Sequence, residues 1–264
     1  MSTVVFLADA HLRGRGDRNQ RVLVEFLRSR RAEPGGIVVL GDLFEYFAGR
    51  SRRAAAEYAP VIEALRRFAP FHYLEGNHDF DLCPPALFLP PQFIHPGPVC
   101  LSVQGVRLLL RHGDRVAPGD LGTRALRAAL QSRALRWLRD RVLPDSGVFE
   151  FAMRFADFSR RGIWPGRGRE ATEIQRWMRR EMKTQGARAG VFAHTHQGLL
   201  ARAPEGLLAN PGRATPGGSY LELASGHMTL RSFPEGNILH PGPLPIDPSC
   251  RTTPTPPPPS TTNR

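Results

Sequence analysis

Gly76-Asn77-His78-Asp79 comes just after a short apolar run, residues 71–74, and this junction constrains the chain more than any other stretch. The run reads as a buried strand, and a Gly-Asn pair at its end is a turn signal. Such a turn throws an amide and an imidazole off the carboxyl end of the strand, where open α/β sheets place their sites. Four other polar clusters share the context: Asp9-Ala10-His11, Gly41-Asp42, His112-Gly113-Asp114 and His194-Thr195-His196. Each comes just after an apolar run, at residues 4–8, 37–40, 106–110 and 191–193. Five strand ends thus send Asp9, His11, Asp42, Asn77, His112, His194 and His196 towards one place, and all are metal-ligand types.

The runs set the architecture. Residues 3–8 are apolar throughout, as a central strand buried on both faces must be. Helical spacing in 19–31 and 54–68 separates this strand from those at 37–40 and 71–74, a βαβαβ opening that implies parallel strands. Gln104-Gly105 reads as a hairpin turn that continues the sheet with antiparallel strands at 99–103 and 106–110. From about 119 to 186 the pattern becomes helical, an insertion between two site-bearing strands. Strand patterns return at 190–193, 199–203, 206–209, 219–223 and 227–233. The domain is expected to span 1–240, and the Pro/Thr-rich stretch 241–264 reads as a disordered tail.

The balance of 36 Lys and Arg against 24 Asp and Glu gives a net charge of +12, which favours polyanionic partners such as phosphorylated substrates, anionic lipid headgroups or nucleic acid. Three cysteines without C-x-x-C spacing point to a reducing compartment and no structural zinc. No run reaches the roughly 18 apolar residues of a membrane span. The expected location is the cytoplasm, with any membrane contact peripheral at its inner face. No obligate protein partner is evident.

The chemistry follows from the ligand types. Two cations about 3.5–4 Å apart, held by imidazoles and carboxylates, clamp phosphate oxygens and lower the pKa of a bridging water. Nitrogen and oxygen donors suit Mn²⁺, Fe²⁺ or Zn²⁺ better than Ca²⁺. Asp9 and His11 are two apart, as are His194 and His196, so each pair would share a side of an extended strand. Asp42 and Asn77 follow glycines, where the backbone can approach an ion closely. Singly, a D-x-H or H-x-H pair is usually accidental. Five such clusters, each after a strand, have no comparable structural explanation.

In this order the motifs resemble the calcineurin-like metallophosphoesterase family, whose pattern is D-x-H, G-D, G-N-H-[DE], H and [GA]-H-x-H. The resemblance covers residues 3 to about 233 and implies an α/β fold, a four-layer αββα sandwich with a helical insertion. It implies two divalent ions, Mn²⁺ first among them. Asp9, His11 and His196 would hold one, and Asn77, His112 and His194 the other, with Asp42 bridging. His78 would be catalytic, contacting the phosphate or protonating the leaving group, a role suited to an imidazole. Ala193 stands where the family usually has Gly, which fits if its φ is negative.

Three features are similar to the UDP-2,3-diacylglucosamine diphosphatases of lipid A biosynthesis: Gly41-Asp42-Leu43-Phe44-Glu45, His112-Gly113-Asp114 and the Arg-rich, aromatic insertion. That resemblance implies a phosphorylated lipid-nucleotide substrate, cleaved to lipid 1-phosphate and UMP, and an insertion that forms a lid over acyl chains. Phe149, Phe151, Met153, Phe155 and Phe158 are more than one apolar stripe needs. They form either a second small core or an acyl-chain or membrane-facing surface. Arg124, Arg154 and Arg160 are candidates for the substrate's diphosphate or for anionic headgroups. One position departs: His78 stands where those diphosphatases carry Arg. It leaves the metal set intact and keeps open an alternative phosphate ester, whether phosphomonoester, phosphodiester or nucleic acid.

Overall fold

A computed structural model describes residues 3–30, 35–48, 50–82, 91–116, 132–161, 167–239 and 241–246, and side chains throughout these except at 91 and 158–169. Strand β1 (Thr3–Leu7) is buried on both faces, which is why its sequence is apolar without alternation. It lies inside a seven-stranded sheet, parallel to β2 (Ile37–Val39) and antiparallel to β12 (Gly218–Ala224). Parallel pairing continues from β2 to β4 (Phe71–Leu74) and on to the two-residue β6 (Ile94–His95). Beyond β12 come β13 (His227–Phe233) and β14 (Leu244–Pro245). The short β3 (Phe47–Ala48) and β5 (Asp79–Phe80) pair separately beside the Gly76–Asp79 turn.

The hairpin at Gln104-Gly105 forms as expected, with β7 (Val99–Val103) antiparallel to β8 (Val106–Arg111), but it does not continue the first sheet. It belongs to a second sheet, ordered β10 (Leu199–Ala203), β11 (Gly206–Asn210), β9 (Ala189–Phe192), β8, β7. Local patterning sets the hairpin and its alternation; the sheet it joins depends on distant partners.

Alternate residues of β1 sort the layers. Val5 and Leu7 meet α1 (Arg18–Arg30) through Leu23, Phe26 and Leu27, and α2 (Arg52–Leu65) through Tyr58, Val61 and Leu65. Val4 and Phe6 face Leu108, Leu110 and Val191 of the second sheet. The far face of that sheet, with Leu109, Phe192 and Leu208, is covered by Ile174, Met178 and Met182 of α5 (Arg167–Gln185). Their four-residue spacing forms one helical stripe. It seats closely because a Cβ on Gly190 would stand 2.7 Å from both Met178 Cε and Met182 Sδ. Helices thus cover both outer faces of two stacked sheets, the αββα order.

Between β8 and β9 the described residues form three helices, α3 (Arg133–Arg141), α4 (Asp145–Arg161) and α5. The crowded apolar side chains of α4 that are described divide rather than forming a core of their own, and the Phe158 side chain lies outside the described ones. Phe149 is buried against Tyr46 and Tyr58 of the main core, with Met153 packed beside it. Phe151 is 70% exposed and stacks on the exposed Phe155.

The Pro/Thr-rich stretch differs from expectation over its first residues. Leu244–Pro245 adds β14, Ile246 is buried, and its amide donates to the Gly226 carbonyl. Burial of one isoleucine and a free edge on β13 outweigh the local composition. Residues 247–264, the rest of the expected tail, lie outside the described residues.

Candidate metal centre

All seven strand-end side chains converge at the carboxyl ends of β1, β2, β4, β8 and β9. The route differs from the extended spacing expected for Asp9/His11 and His194/His196. These four residues and Asp42 all adopt left-handed backbone, with φ of 52°, 46°, 73°, 61° and 51°. Such φ values are costly away from glycine and gather where surrounding structure enforces them, often at functional sites. Here they turn each chain sharply off its strand into the centre. Ala193 is not among the positive-φ residues, so it fits where the motif usually has Gly.

The two glycine-led turns interlock. A Cβ on Gly76 would stand 2.1 Å from Asp42 Oδ1, and one on Gly41 would stand 2.7 Å from Gly76 N. Asp79, fully buried, clamps them together. Its carboxylate accepts from the amides of Asp42 (3.0 Å), Leu43 (2.8 Å) and Gly76 (2.9 Å), and from the Tyr73 hydroxyl (2.5 Å).

Two ligand groups result, Asp9–His11–His196 and Asp42–His112–His194, each with donor atoms within 4.8 Å of one another. Asp42 Oδ2 lies 3.3 Å from His112 Nε2 and 4.0 Å from His11 Nε2, so it reaches both groups. His11 Nε2 and His196 Nε2 are 3.2 Å apart. Asn77 Oδ1 is 3.2 Å from His112 Nε2. His112 Nδ1 donates to the Leu40 carbonyl at 2.7 Å, which leaves Nε2 for the centre.

The electrostatics suit cations. Asp9 Oδ1 and His194 Nδ1 are buried without a partner among the described residues. Burial, assisted by Asp42, pushes the Asp9 carboxyl up to about 7. Burial also pushes the Asp42 carboxyl up, but His112 and His78 outweigh it and hold the group well below the usual range. Burial would lower His112, yet Asp42 raises it to about 9. Burial drives His196 down to about 4 and His11 well below its ordinary value. Orphaned donor atoms, an Asp9 carboxylate penalised by burial and imidazoles with nitrogens turned inward fit divalent ions.

His78 stands at the rim, 31% exposed, with its ring edge-on to His11 at 4.7 Å. Its Nδ1 lies 2.9 Å from the Glu45 carbonyl. A carbonyl only accepts, so Nδ1 carries the proton and Nε2 is left for substrate. His11, Glu45 and His78 form a third close group. Glu45 was recognisable in sequence only as part of Gly41–Glu45. Asp79 was visible only as the last letter of its motif, and Glu170, whose carboxylate touches His194, carried no signal at all.

Of the three candidate arginines, only Arg154 has a described side chain. Arg124 lies outside the described residues, Arg154 is exposed, and Arg160 is described only as part of α4. Other arginines tie the inserted helices down. Arg13, just after the first motif, pairs with Asp157 of α4 at 2.7 Å, and Arg136 and Arg139 of α3 pair with Asp81 at 3.3 Å.

The sequence profile of calcineurin-like phosphoesterases matches residues 2–198. UDP-2,3-diacylglucosamine hydrolase of Ralstonia nicotianae is 28% identical over 254 residues, covering 86% of this chain and 91% of that one. The Sodalis glossinidius protein of the same name is 26% identical over 244 residues, covering 89% and 100%. That of Aeromonas salmonicida is 33% identical over 141 residues, 52% of this chain and 55% of its own length. Among solved structures, a phosphoesterase from E. coli aligns over 93% of this chain and 100% of that one, at 17% identity and a TM-score of 0.47. The profile match takes in most of the chain and all seven converging side chains, and the chain belongs to the calcineurin-like phosphoesterase family.

Proposed function

We propose that this chain is a dinuclear phosphoesterase that hydrolyses UDP-2,3-diacylglucosamine to UMP and the lipid 1-phosphate. The observation that carries the hydrolytic reading is the meeting of two ligand groups on buried Asp42. Support for the lipid comes from the relatives' shared name and from the inserted helices. Apart from Ile238, every exposed large apolar side chain among the described residues lies on or between α3 and α4: Leu135, Trp137, Val142, Leu143, Phe151 and Phe155. That surface offers acyl chains a place beside the centre, with the insertion as a lid. None of the described helices is long and apolar enough to cross a membrane. The net charge of +12 favours peripheral contact with an anionic cytoplasmic leaflet.

Asp9, His11 and His196 would hold one cation and Asn77, His112 and His194 the other, with Asp42 shared; Mn²⁺ fits these donors. When bound, such a pair would neutralise phosphate oxygens and make a hydroxide nucleophile available near neutral pH. The chain's residues then do the rest. The left-handed turns hold the ligands before substrate arrives, so little reorganisation is needed in the transition state. In its doubly protonated form, with Nδ1–H held by the Glu45 carbonyl, His78 would present Nε2–H to the diphosphate, to bind its oxygen or to pass that proton to the departing phosphate.

Asp9 and His112 must shed protons before they ligate, with values of about 7 and about 9 in the metal-free protein. Mn²⁺ affinity should therefore rise with pH through about 7, where Asp9 sheds its proton, and on through about 9, where His112 does, with proton release on binding. Calorimetry in buffers of different ionisation enthalpy measures both, and an affinity flat with pH would contradict the ligand assignment.

His78, an imidazole where the lipid enzymes have Arg, favours a second reading in which the substrate is another phosphate ester. The deciding assay offers UDP-2,3-diacylglucosamine, bis-p-nitrophenyl phosphate and single-stranded DNA to Mn²⁺-loaded protein. UMP release from the lipid is the expected result. Turnover of the generic diester or the DNA without the lipid would leave only the second reading.

A further inference from the structure

We infer that Glu170, at the start of α5, is a positioning residue that fixes the orientation and tautomer of His194. The inference rests on the dinuclear reading of the centre. Glu170 belongs to the inserted helices, not to any of the strand ends that make the site. Its Oε1 nevertheless lies 3.0 Å from His194 Nε2, and both side chains are largely shielded, at 19% and 23% exposure. An ionised carboxylate only accepts, so Nε2 carries the proton. The other nitrogen, Nδ1, is then unprotonated, and it is this atom that is buried without a partner among the described residues. His112 shows the mirror arrangement, its Nδ1 held by a backbone carbonyl and its Nε2 facing the centre.

The contact has further support on both sides. On the strand side, His194 sits at φ 73°, and its amide donates to Asp9 Oδ2 at 3.0 Å, so its backbone is fixed. That leaves ring rotation as the main freedom to be restrained. On the helix side, Ile174 is four residues beyond Glu170 and fully buried against the second sheet. A Cβ on Gly113, next to His112, would stand 3.2 Å from Ile174 Cδ1, so the first turns of α5 are seated on the site. A carboxylate hydrogen-bonded to a ligating imidazole raises its basicity and locks its ring. The insertion therefore contributes to the metal centre through one side chain, and loosening the start of α5 weakens a single cation site.

The test uses full-length, metal-free protein and Mn²⁺ alone, with free Mn²⁺ followed by electron paramagnetic resonance. Wild-type protein should bind two ions, and His194→Ala should lose one. Glu170→Ala should weaken one of the two sites by about 10–100-fold and leave the other unchanged. Glu170→Gln, which still presents an acceptor oxygen, should recover most of that affinity, and Glu173→Ala on the same helix should match wild type. If Glu170→Ala binds both ions like wild type while His194→Ala loses one, Glu170 has no positioning role. If His194→Ala still binds two ions, it is the ligand assignment that fails. A readout independent of any variant's folding is the ¹⁵N imidazole spectrum of the wild-type metal-free protein. His194 should show the proton on Nε2, and a proton on Nδ1 instead would overturn the inference.

Discussion

Asp42→Ala should retain less than about one hundredth of wild-type turnover and bind fewer than two Mn²⁺ per chain. The expected loss exceeds the 10–100-fold typical when a residue that merely supports a ligand is removed, because the Asp42 carboxylate lies within reach of imidazoles of both groups. Oδ2 faces His11 and His112, while Oδ1 accepts the His78 amide at 2.9 Å. Removing it therefore also releases the turn that carries His78. Asp42→Asn separates these effects. It keeps an acceptor for the His78 amide but lacks the charge that offsets two cations, so its turnover should remain close to that of the Ala variant while its thermal stability stays closer to wild type. Metal analysis by mass spectrometry, alongside turnover, checks both. An Asn variant as active as wild type would show that Asp42 serves the turn and not the ions.

The second large effect falls on stability. Asp79→Ala takes the shared carboxylate acceptor away from the buried Asp42 and Leu43 amides and the Tyr73 hydroxyl, while the Gly76 amide keeps its bond to the residue-79 carbonyl. Each buried polar group left unsatisfied costs about 1–3 kcal/mol. Water entering the space offsets part of the sum, so the net loss should be about 4 kcal/mol. For a chain of this size that lowers the midpoint of thermal unfolding by roughly 10 °C. The Gly41-Asp42 and Gly76–Asp79 turns should also part, so metal affinity falls although Asp79 touches no ion. Thermal unfolding with and without Mn²⁺ separates the two consequences. A change under about 1 kcal/mol would mean that the turns hold together without their clamp.

The candidate site was readable in sequence because its residues stand singly or in pairs at the ends of runs too apolar to be anything but buried strands. Asp9, Asp42, Asn77, His112 and His194 needed no knowledge of distant neighbours to be placed at strand ends. Their geometry was not readable. The two-residue spacing of Asp9 and His11 suggested an extended strand, whereas the φ values of 52° and 46° are imposed by the meeting of β1 with the Gly41-Asp42 turn, through amides that donate to Gly41 and Asp42 carbonyls. Asp79 is marked only as the last letter of its motif, and its partner Leu43 lies 36 residues away; Glu170 meets His194 24 residues away, and nothing local marks it. The split into two sheets was hidden for a similar reason. The residue pattern of β8 is that of any buried strand, and only its pairing with β9 removes it from the first sheet. His95 shows the same limit at small scale: it stands among Pro90, Pro91, Pro96 and Pro98, yet it pairs as β6 at the sheet edge with its ring nitrogen 3.2 Å from that of His72.

The inserted helices join the two halves of the account. Their polar ties reach Arg13, Asp81 and His194, while Phe151 and Trp137 are exposed. A substrate with a diphosphate at one end and acyl chains at the other matches that division.

The most direct test of the dinuclear account is a titration of metal-free protein with Mn²⁺ while UMP release from UDP-2,3-diacylglucosamine is followed. Turnover should climb to a plateau at two equivalents of metal per chain. Full turnover at one equivalent, or turnover untouched by metal removal, would contradict the shared-Asp42 centre.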